Sequence, residues 1–151
     1  MKEVILAILS LMLCAILNAQ EADKEAIKTV IQEAYIDGLQ NKGDLDKTRQ
    51  GFHPGFNLLM LGDDGIMNKL PIYNWIQISE IRKAKDPSPV PESQLVTCEY
   101  DMIDITGKAA IAKISLYKEG KKIFTDYLSL YQFPDGWKIV GKIYHRYPAE
   151  Q

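Results

Sequence analysis

An acidic residue inside an apolar, strand-like run is the best candidate for chemistry in this sequence. The residue is Asp126, in the run Phe124–Leu130. Side chains of a β-strand alternate between two faces, and this puts Asp126 on a face with three apolar residues, Phe124, Leu128 and Leu130. A desolvated carboxylate there could act as a general base or bind a ligand through a hydrogen bond. The competing interpretation is a structural acid, bonded to the backbone or to a Lys or Tyr of a neighbouring strand.

The two histidines are the next candidates, because imidazole can exchange a proton near neutral pH. His53, which precedes Pro54, is the second candidate general base. A His-Pro pair after a helix more often caps or hydrogen-bonds its loop, and this interpretation is favoured. His145 is expected at a strand end, partly in water. Two histidines so distant in sequence, without a cysteine cluster, give no metal-ligand spacing, so no metal site is predicted.

Aromatic residues could supply the walls of a binding pocket. The candidates are Tyr35, Tyr73, Trp75 and Tyr100, although aromatics at helical spacing more often belong to the core. Tyr35 and Trp75 are favoured for ligand contact because their helices would cover a hollow, and a planar heterocycle could stack on Trp75. The predicted ligand-binding residues are Tyr35, Trp75, Tyr100 and Asp126. Neither a phosphate-binding glycine loop nor a G-x-S-x-G motif occurs, so no cofactor is predicted.

The charge of the chain excludes one class of partner. The 151 residues carry a formal net charge of −2 and are 46% hydrophobic and 25% charged, as in an ordinary globular domain. No large basic field is present to hold nucleic acid, so no nucleic-acid partner is predicted. A short basic set, Lys118, Lys121 and Lys122, surrounds Gly120 and is interpreted as a solvated turn.

The N-terminus has the layout of a cleaved secretory signal. Lys2 precedes a nearly uninterrupted apolar run over 4–17, and Ala19 provides a small residue before the polar Gln20. The run is shorter than the ~20 residues that span a bilayer, which argues against a retained membrane anchor. We expect a leader at 1–19 and a secreted or periplasmic domain at 20–151, with no stable membrane insertion. Cys98 would then be the remaining cysteine, so no internal disulfide is expected.

Helical periodicity dominates the first half of the mature chain. A helix capped by Asp23 is predicted to end near Gly43, which would supply a left-handed stop. Its apolar stripe consists of Ile27, Val30, Ile31, Ala34, Tyr35 and Leu39. A short helix capped by Asp44 and a helix from Pro71 to Asp86 follow, the latter with a stripe of Ile72, Trp75, Ile76 and Ser79, broadened by Ile78.

Strand-like runs dominate the rest. A small hairpin is predicted over 56–69, after a break at Gly51–Gly55. Four long antiparallel strands follow, over 94–105, 109–117, 123–133 and 137–146, each separated by a glycine-containing turn. In the first of these, Val96, Cys98, Tyr100 and Met102 are assigned to one face, and a bulge is expected near Met102. Twist would curve this sheet, and helices on its concave face would enclose a cone-shaped hollow.

The order of these elements resembles the NTF2-like (SnoaL-like) superfamily, and within it the putative lumazine-binding family. The resemblance is carried by Tyr35–Gly38, Phe52–Pro54, Asp104–Ala110, Phe124–Leu130 and Asp135–Val140. It implies an α+β, cone-shaped roll in which three N-terminal helices lie on the concave face of a curved antiparallel sheet. It also implies a homodimer formed through the sheet, for which the row Thr125, Tyr127, Ser129 and Tyr131 is suited. Alternation alone does not assign which face of that strand lines the hollow.

Three functions are compatible with these observations. The first is an exported binding protein for a small, mostly apolar or heterocyclic ligand in a cone-shaped pocket. The second is a cofactor-independent isomerase or dehydratase with Asp126 or His53 as general base; the superfamily contains such enzymes, but their catalytic set has no residue-by-residue match here. The third is a protein-interaction domain whose hollow is filled by side chains. The fold by itself does not choose among them.

Overall fold

The computed structural model describes residues 19–148 as one α+β unit built on a curved, six-stranded sheet. Apart from Ala19, the predicted leader at 1–19 lies outside the described residues. Helix α1 is α-helical over 19–30 and continues as a π-helix over Ile31–Gln40. Helices α2 and α3 span Leu45–Gly51 and Ile72–Lys85. The strands are β1 (Phe52–Leu61), β2 (Met67–Pro71), β3 (Val96–Thr106), β4 (Ala109–Lys118), β5 (Lys121–Phe133) and β6 (Gly136–Arg146).

The apolar stripe of α1 is buried largely as predicted, and the helix ends at Gln40, close to the predicted end, but the predicted cap at Asp23 and the left-handed residue at Gly43 are wrong. Residue 19 is already helical, so Asp23 does not cap the helix; its carboxylate accepts hydrogen bonds from Trp137 Nε1 at 3.0 Å and Gln132 Nε2 at 3.1 Å. At the other end, Lys42 adopts the left-handed conformation (φ 56°). Gly43 is needed there for space, because a Cβ at this position would lie 2.5 Å from the carbonyl oxygen of Asp37.

The other two helices follow their local signals. Asp44 caps α2 as predicted, its side chain accepting a hydrogen bond from the amide of Asp46 at 2.8 Å. Pro71 precedes α3, and the helix ends at Asp86. Ile72, Ile76 and Ser79 of the predicted stripe are buried, whereas Ile78 is 45% exposed and does not broaden it.

The sheet has the strand order β2-β1-β6-β5-β4-β3. Strands β3 to β6 form the predicted antiparallel meander. The hairpin β1–β2 joins its β6 edge with β1 parallel to β6, so the sheet is mixed at that one junction. Strand β1 also begins at Phe52 instead of Phe56, since a register irregularity between Phe52 and Asn57 lets the strand pass through the predicted break.

Helix α1 crosses the inner face of the sheet and is attached to it along its length. Near its start Asp23 is bonded to β6 through Trp137, and the hydroxyl of Tyr100 on β3 donates to the carbonyl of Lys28 at 2.9 Å. At its end the side chain of Asn41 makes two hydrogen bonds to the backbone of Val96, at 2.8 and 2.9 Å. These bonds fix how deeply the helix sits over the sheet.

Beta-bulges decide which side chains of the sheet point inward. The predicted bulge in β3 lies between Tyr100 and Met102 and reverses the alternation. Met102 is therefore 44% exposed on the outer face, contrary to the predicted row with Tyr100. On β5 the inward face carries Phe124, Asp126, Leu128 and Leu130, and the last three are almost completely buried. Tyr127 and Tyr131 point outward.

Candidate functional site

A buried, charged cluster lies where α1 crosses strands β5 and β6. Lys142 Nζ is 2.7 Å from Asp126 Oδ2, and the hydroxyl of Tyr35 donates to the same carboxylate oxygen at 2.7 Å. Lys142 also donates to the Tyr35 hydroxyl, which receives a further hydrogen bond from Gln40 Nε2 at 3.0 Å. The side chain of Asp126 is 0% exposed and that of Lys142 is 5% exposed, so both charges are withdrawn from water.

A β-bulge places Lys142 in this cluster. Trp137 and Ile139, two residues apart, are buried inward at the start of β6. Between Ile139 and Gly141 the register with β5 shifts, so that Val140 is an extra residue and the alternation reverses. Lys142 then lies opposite Leu128, and Tyr144 lies opposite Asp126, both on the inner face.

Four aromatic rings surround the amine of Lys142. Its nitrogen lies 4.4 Å from the ring centroid of Tyr35, 5.3 Å from Tyr144, 5.6 Å from Trp75 and 6.0 Å from Phe124. The negative faces of aromatic rings attract a cation at these distances. Together with Asp126, the rings offset part of the cost of burying the charge.

Burial changes the pKa of two side chains in the cluster. It raises the pKa of the Tyr35 hydroxyl well above its usual value, and the adjacent Asp126 raises this pKa further. Tyr35 therefore keeps its proton and remains a hydrogen-bond donor to the carboxylate. Burial lowers the pKa of the Lys142 amine, an effect that Asp126 opposes. The second carboxylate oxygen of Asp126, Oδ1, is buried without a hydrogen-bond partner among the described residues.

A cleft of about 200 Å³ opens above the cluster. Its lining combines apolar, aromatic and basic side chains: Leu39, Gln40, Leu58, Trp75, Arg82, Phe124, Lys142, Tyr144 and Arg146. Beside the cleft, beneath the helices, Tyr35, Phe52, Phe56 and Trp75 pack ring against ring. These rings occupy space inside the predicted hollow.

The structure brings together three of the four predicted ligand-binding residues. Trp75 lines the cleft, while Tyr35 and Asp126 lie behind Lys142 at its floor. Tyr100 is not part of the cleft lining; its hydroxyl is bonded to the backbone of α1. Asp126 matches the competing structural interpretation, since its partners are a Lys of the neighbouring strand and a Tyr.

His53 is engaged away from the cleft. Its Nδ1 accepts a hydrogen bond from the amide of Gly55 at 3.0 Å, a local bond of the kind that the structural interpretation expects. Its ring stacks on Phe133 with centroids 4.9 Å apart. His145 lies near the end of β6 against the ring of Tyr147. Neither histidine lines the cleft.

Sequence reasoning missed Lys142, Gln40 and the two arginines of the cleft. The signal for Lys142 was Gly141, because a glycine inside a strand often marks a bulge. Cys98 lies on the inner face of β3, and burial raises the pKa of its thiol to about 12, which suppresses its reactivity. Within residues 19–148, no group of three His, Cys, Asp or Glu side chains could hold a metal ion. No helix in this range is both long and apolar enough to cross a membrane.

Known proteins resemble this chain in sequence and in fold. The profile of the putative lumazine-binding family matches residues 22–145. An NTF2-like protein of unknown function from Shewanella baltica OS155 is 27% identical and has a TM-score of 0.66; the alignment covers 87% of this chain and 97% of that one. No curated protein sequence is significantly similar to the chain.

Two more distant structures share the fold alone. An NTF2-like protein of unknown function from Silicibacter pomeroyi DSS-3 is 16% identical, with a TM-score of 0.64 over 84% of this chain and 98% of that one. A putative dehydratase of the NTF2-like family from Streptomyces avermitilis is 12% identical, with a TM-score of 0.59 over 86% of this chain and 99% of that one.

Proposed function

We propose that this chain, which belongs to the putative lumazine-binding family of the NTF2-like superfamily, binds a small planar heterocycle in the cleft above Lys142. The observation that carries the proposal is the position of Lys142: an almost completely buried amine at the floor of a cleft with aromatic walls. An amine in this setting can donate a hydrogen bond to a ligand carbonyl oxygen in a site of low dielectric constant.

The size and shape of the cleft favour a compact, flat ligand. Its volume of about 200 Å³ is below the several hundred Å³ of typical drug-sized sites. The faces of Trp75, Phe124 and Tyr144 offer surfaces for stacking. A mono- or bicyclic ring with a carbonyl oxygen directed at Lys142 satisfies both constraints.

An enzyme that uses Asp126 or His53 as general base is less well supported. Such a base must come within hydrogen-bond reach of the substrate proton. Asp126 lies behind Lys142 and is already bonded to it and to Tyr35, whereas His53 faces Phe133. A pure interaction domain would leave the buried amine at an open cleft without a role, so ligand binding remains our proposal.

Export and dimerisation complete the proposal. The layout of 1–20 supports removal of a leader and a secreted or periplasmic location. The outward face of the sheet supports a homodimer, because it exposes a row of Met102, Lys113, Tyr127 and Ile143 at paired positions on β3 to β6. Exposed apolar patches of this kind commonly mark interaction surfaces.

Titration with lumazine, followed through the fluorescence of lumazine itself, tests the binding function. We expect saturable binding that Lys142→Met weakens by ~10-fold or more, since a hydrogen bond to a charged donor is worth ~1.5–3 kcal/mol. Trp75→Leu should also weaken binding, and it leaves the buried ion pair intact. Lys85→Met, which changes an exposed lysine at the end of α3, outside both the cleft and the sheet, is the control and should bind like the wild type.

The proposal is wrong if neither lumazine nor lumazine-6-carboxylate binds the folded wild-type protein. It is equally wrong if Lys85→Met weakens binding as much as Lys142→Met does. Circular dichroism of each variant checks that the protein is folded, so that a loss of binding can be assigned to the substituted side chain.

A further inference from the structure

Two arginines at the cleft are free to meet a ligand. Arg82 on α3 and Arg146 at the end of β6 both line the cleft, and none of the described residues that line it carries a carboxylate. Within residues 19–148 neither guanidinium forms an ion pair with a side chain. Arg49, by contrast, is paired with both Asp46 and Glu80.

The cleft continues into a larger basic basin. Phe124 and Arg146 line both the cleft and a neighbouring basin of about 1040 Å³ at the end of strands β4, β5 and β6. Among the described residues, the basin walls include Lys118 and Lys122, from the turn interpreted above as solvated, and one acidic residue, Glu119. In a chain with a net charge of −2, this is a local concentration of positive charge.

Resting on the proposed function, we infer that the natural ligand is an anion: a planar heterocycle that bears a carboxylate or a phosphate. The ring occupies the cleft against the aromatic walls, and its anionic oxygens accept hydrogen bonds from the guanidinium of Arg146 at the opening to the basin. Arg82, Lys118 and Lys122 add attraction from the sides. The feature that points to this is the juxtaposition of an aromatic-walled cleft with unpaired arginines and a contiguous basic basin.

Guanidinium chemistry suits this assignment. The planar fork of arginine matches the geometry of carboxylate and phosphate, and such charge-assisted bonds are about twice as strong as neutral ones. Lys142 does not serve as the anion site, because its charge is already balanced by Asp126. The remaining positive charge of the cleft therefore lies at its rim, and the ring must enter with its anionic substituent trailing outward.

Two probes that differ only in the anion test the inference. Binding of lumazine and of lumazine-6-carboxylate is measured at mildly acidic pH, at which the lumazine ring is uncharged. We expect the carboxylate to bind at least ~10-fold more tightly at low salt, equivalent to about 1.4 kcal/mol. The preference should shrink at high salt, because the rim is accessible to screening ions.

Arginine variants test which residue produces the preference for lumazine-6-carboxylate over lumazine. Arg146→Gln should weaken binding of the carboxylate more than that of lumazine and reduce the ratio of the two dissociation constants to ~2-fold or less. Arg49→Gln, the matched substitution at an ion-paired arginine that lines neither the cleft nor the basin, should keep the wild-type ratio.

Failure of this inference is distinguishable from failure of the binding function. Equal affinity for the two probes overturns the anionic ligand and leaves the proposed function standing, as does a preference that survives Arg146→Gln. Absence of binding by both lumazine and lumazine-6-carboxylate overturns the proposed function. Binding of the carboxylate alone supports both the proposed function and the anionic ligand.

Discussion

At the scale of single residues, the buried pair of Asp126 and Lys142 is costly to form, because both charges are withdrawn from water. Removing each ion from water costs several kcal/mol, and one close contact repays this only when further bonds are made. Here the hydroxyl of Tyr35 and the four aromatic rings provide them, although Asp126 Oδ1 has no partner among the described residues. Apolar residues could fill the same space at no greater cost, so the ion pair by itself is weak evidence that this cluster stabilises the fold.

The coupling between Asp126 and Lys142 can be measured by a double-mutant cycle. We expect Lys142→Met to lower the free energy of unfolding by ~3 kcal/mol or more, because it leaves a carboxylate buried without its counter-charge. Asp126→Asn together with Lys142→Met should cost less than Lys142→Met alone, since the amide still accepts from Tyr35 and no charge remains. Urea denaturation measures both. Additive losses in the double variant would show that the two side chains are not coupled.

The sequence identified part of this cluster and missed the rest for a physical reason. Strand alternation grouped Asp126 with its apolar neighbours on one face, and helical spacing placed Tyr35 in the apolar stripe of α1. Both groupings are confirmed, although alternation did not show which face of the strand is inward. Lys142 follows the extra residue Val140, and strict alternation from Trp137 and Ile139 points it outward. Met102 was misplaced by the same effect in β3, even though the bulge itself was predicted.

At the scale of elements, close contact between α1 and α2 fixes the position of Tyr35. Thr48 of α2 is completely buried, and its hydroxyl donates to the carbonyl of Ala34 at 2.8 Å. A Cβ at Gly38 would lie 2.2 Å from that hydroxyl oxygen, and one at Gly51 would lie 2.3 Å from the Cβ of Ala34. Two glycines thus allow α2 to hold α1 in the register that directs Tyr35 at Asp126.

Gly38→Ala tests this contact. Alanine raises helix propensity by ~1 kcal/mol over glycine, but the steric conflict with Thr48 should outweigh this gain and destabilise the protein by ~1–3 kcal/mol in total. Thermal or urea unfolding measures the change. Gly141→Ala is the control, because its Cβ would have no neighbour closer than 4.0 Å and its effect should be smaller. A Gly38→Ala protein as stable as the wild type would show that the helices can separate freely.

At the scale of the whole molecule, the predicted fold class is confirmed, but two features of the fold were not predicted. The three helices, the hairpin and the four-strand meander were all predicted from periodicity and turn residues. The parallel pairing of β1 with β6 was not, because Phe52–Asn57 reaches β6 across most of the chain and no local pattern encodes such a pairing. The π-helical turn over Ile31–Gln40 was also missed, since its apolar spacing resembles that of an α-helix.

The outer face of the sheet carries the proposed homodimer contact. It exposes Ile111, Tyr127, Tyr131 and Ile143, whereas Thr125 of the predicted contact row is buried at 6% exposure and bonded to Tyr147. The proposed contact is therefore centred on Tyr127 and Ile143, which lie opposite each other on β5 and β6. Apolar and tyrosine side chains of this kind are favoured at interfaces between copies of a chain.

Native mass spectrometry of protein purified from its own source should show a dimer of chains that lack residues 1–19. Ile143→Asp should convert it to a monomer, because the substitution puts a charge at the centre of the proposed contact. Ile81→Asp is a closely matched control: Ile81 of α3 is 50% exposed and Ile143 is 53% exposed, but Ile81 is not on the sheet. A wild-type monomer at micromolar concentration, or dissociation by Ile81→Asp alone, would argue against assembly through the sheet. An uncleaved mass would argue against export by leader removal, independently of the oligomeric state.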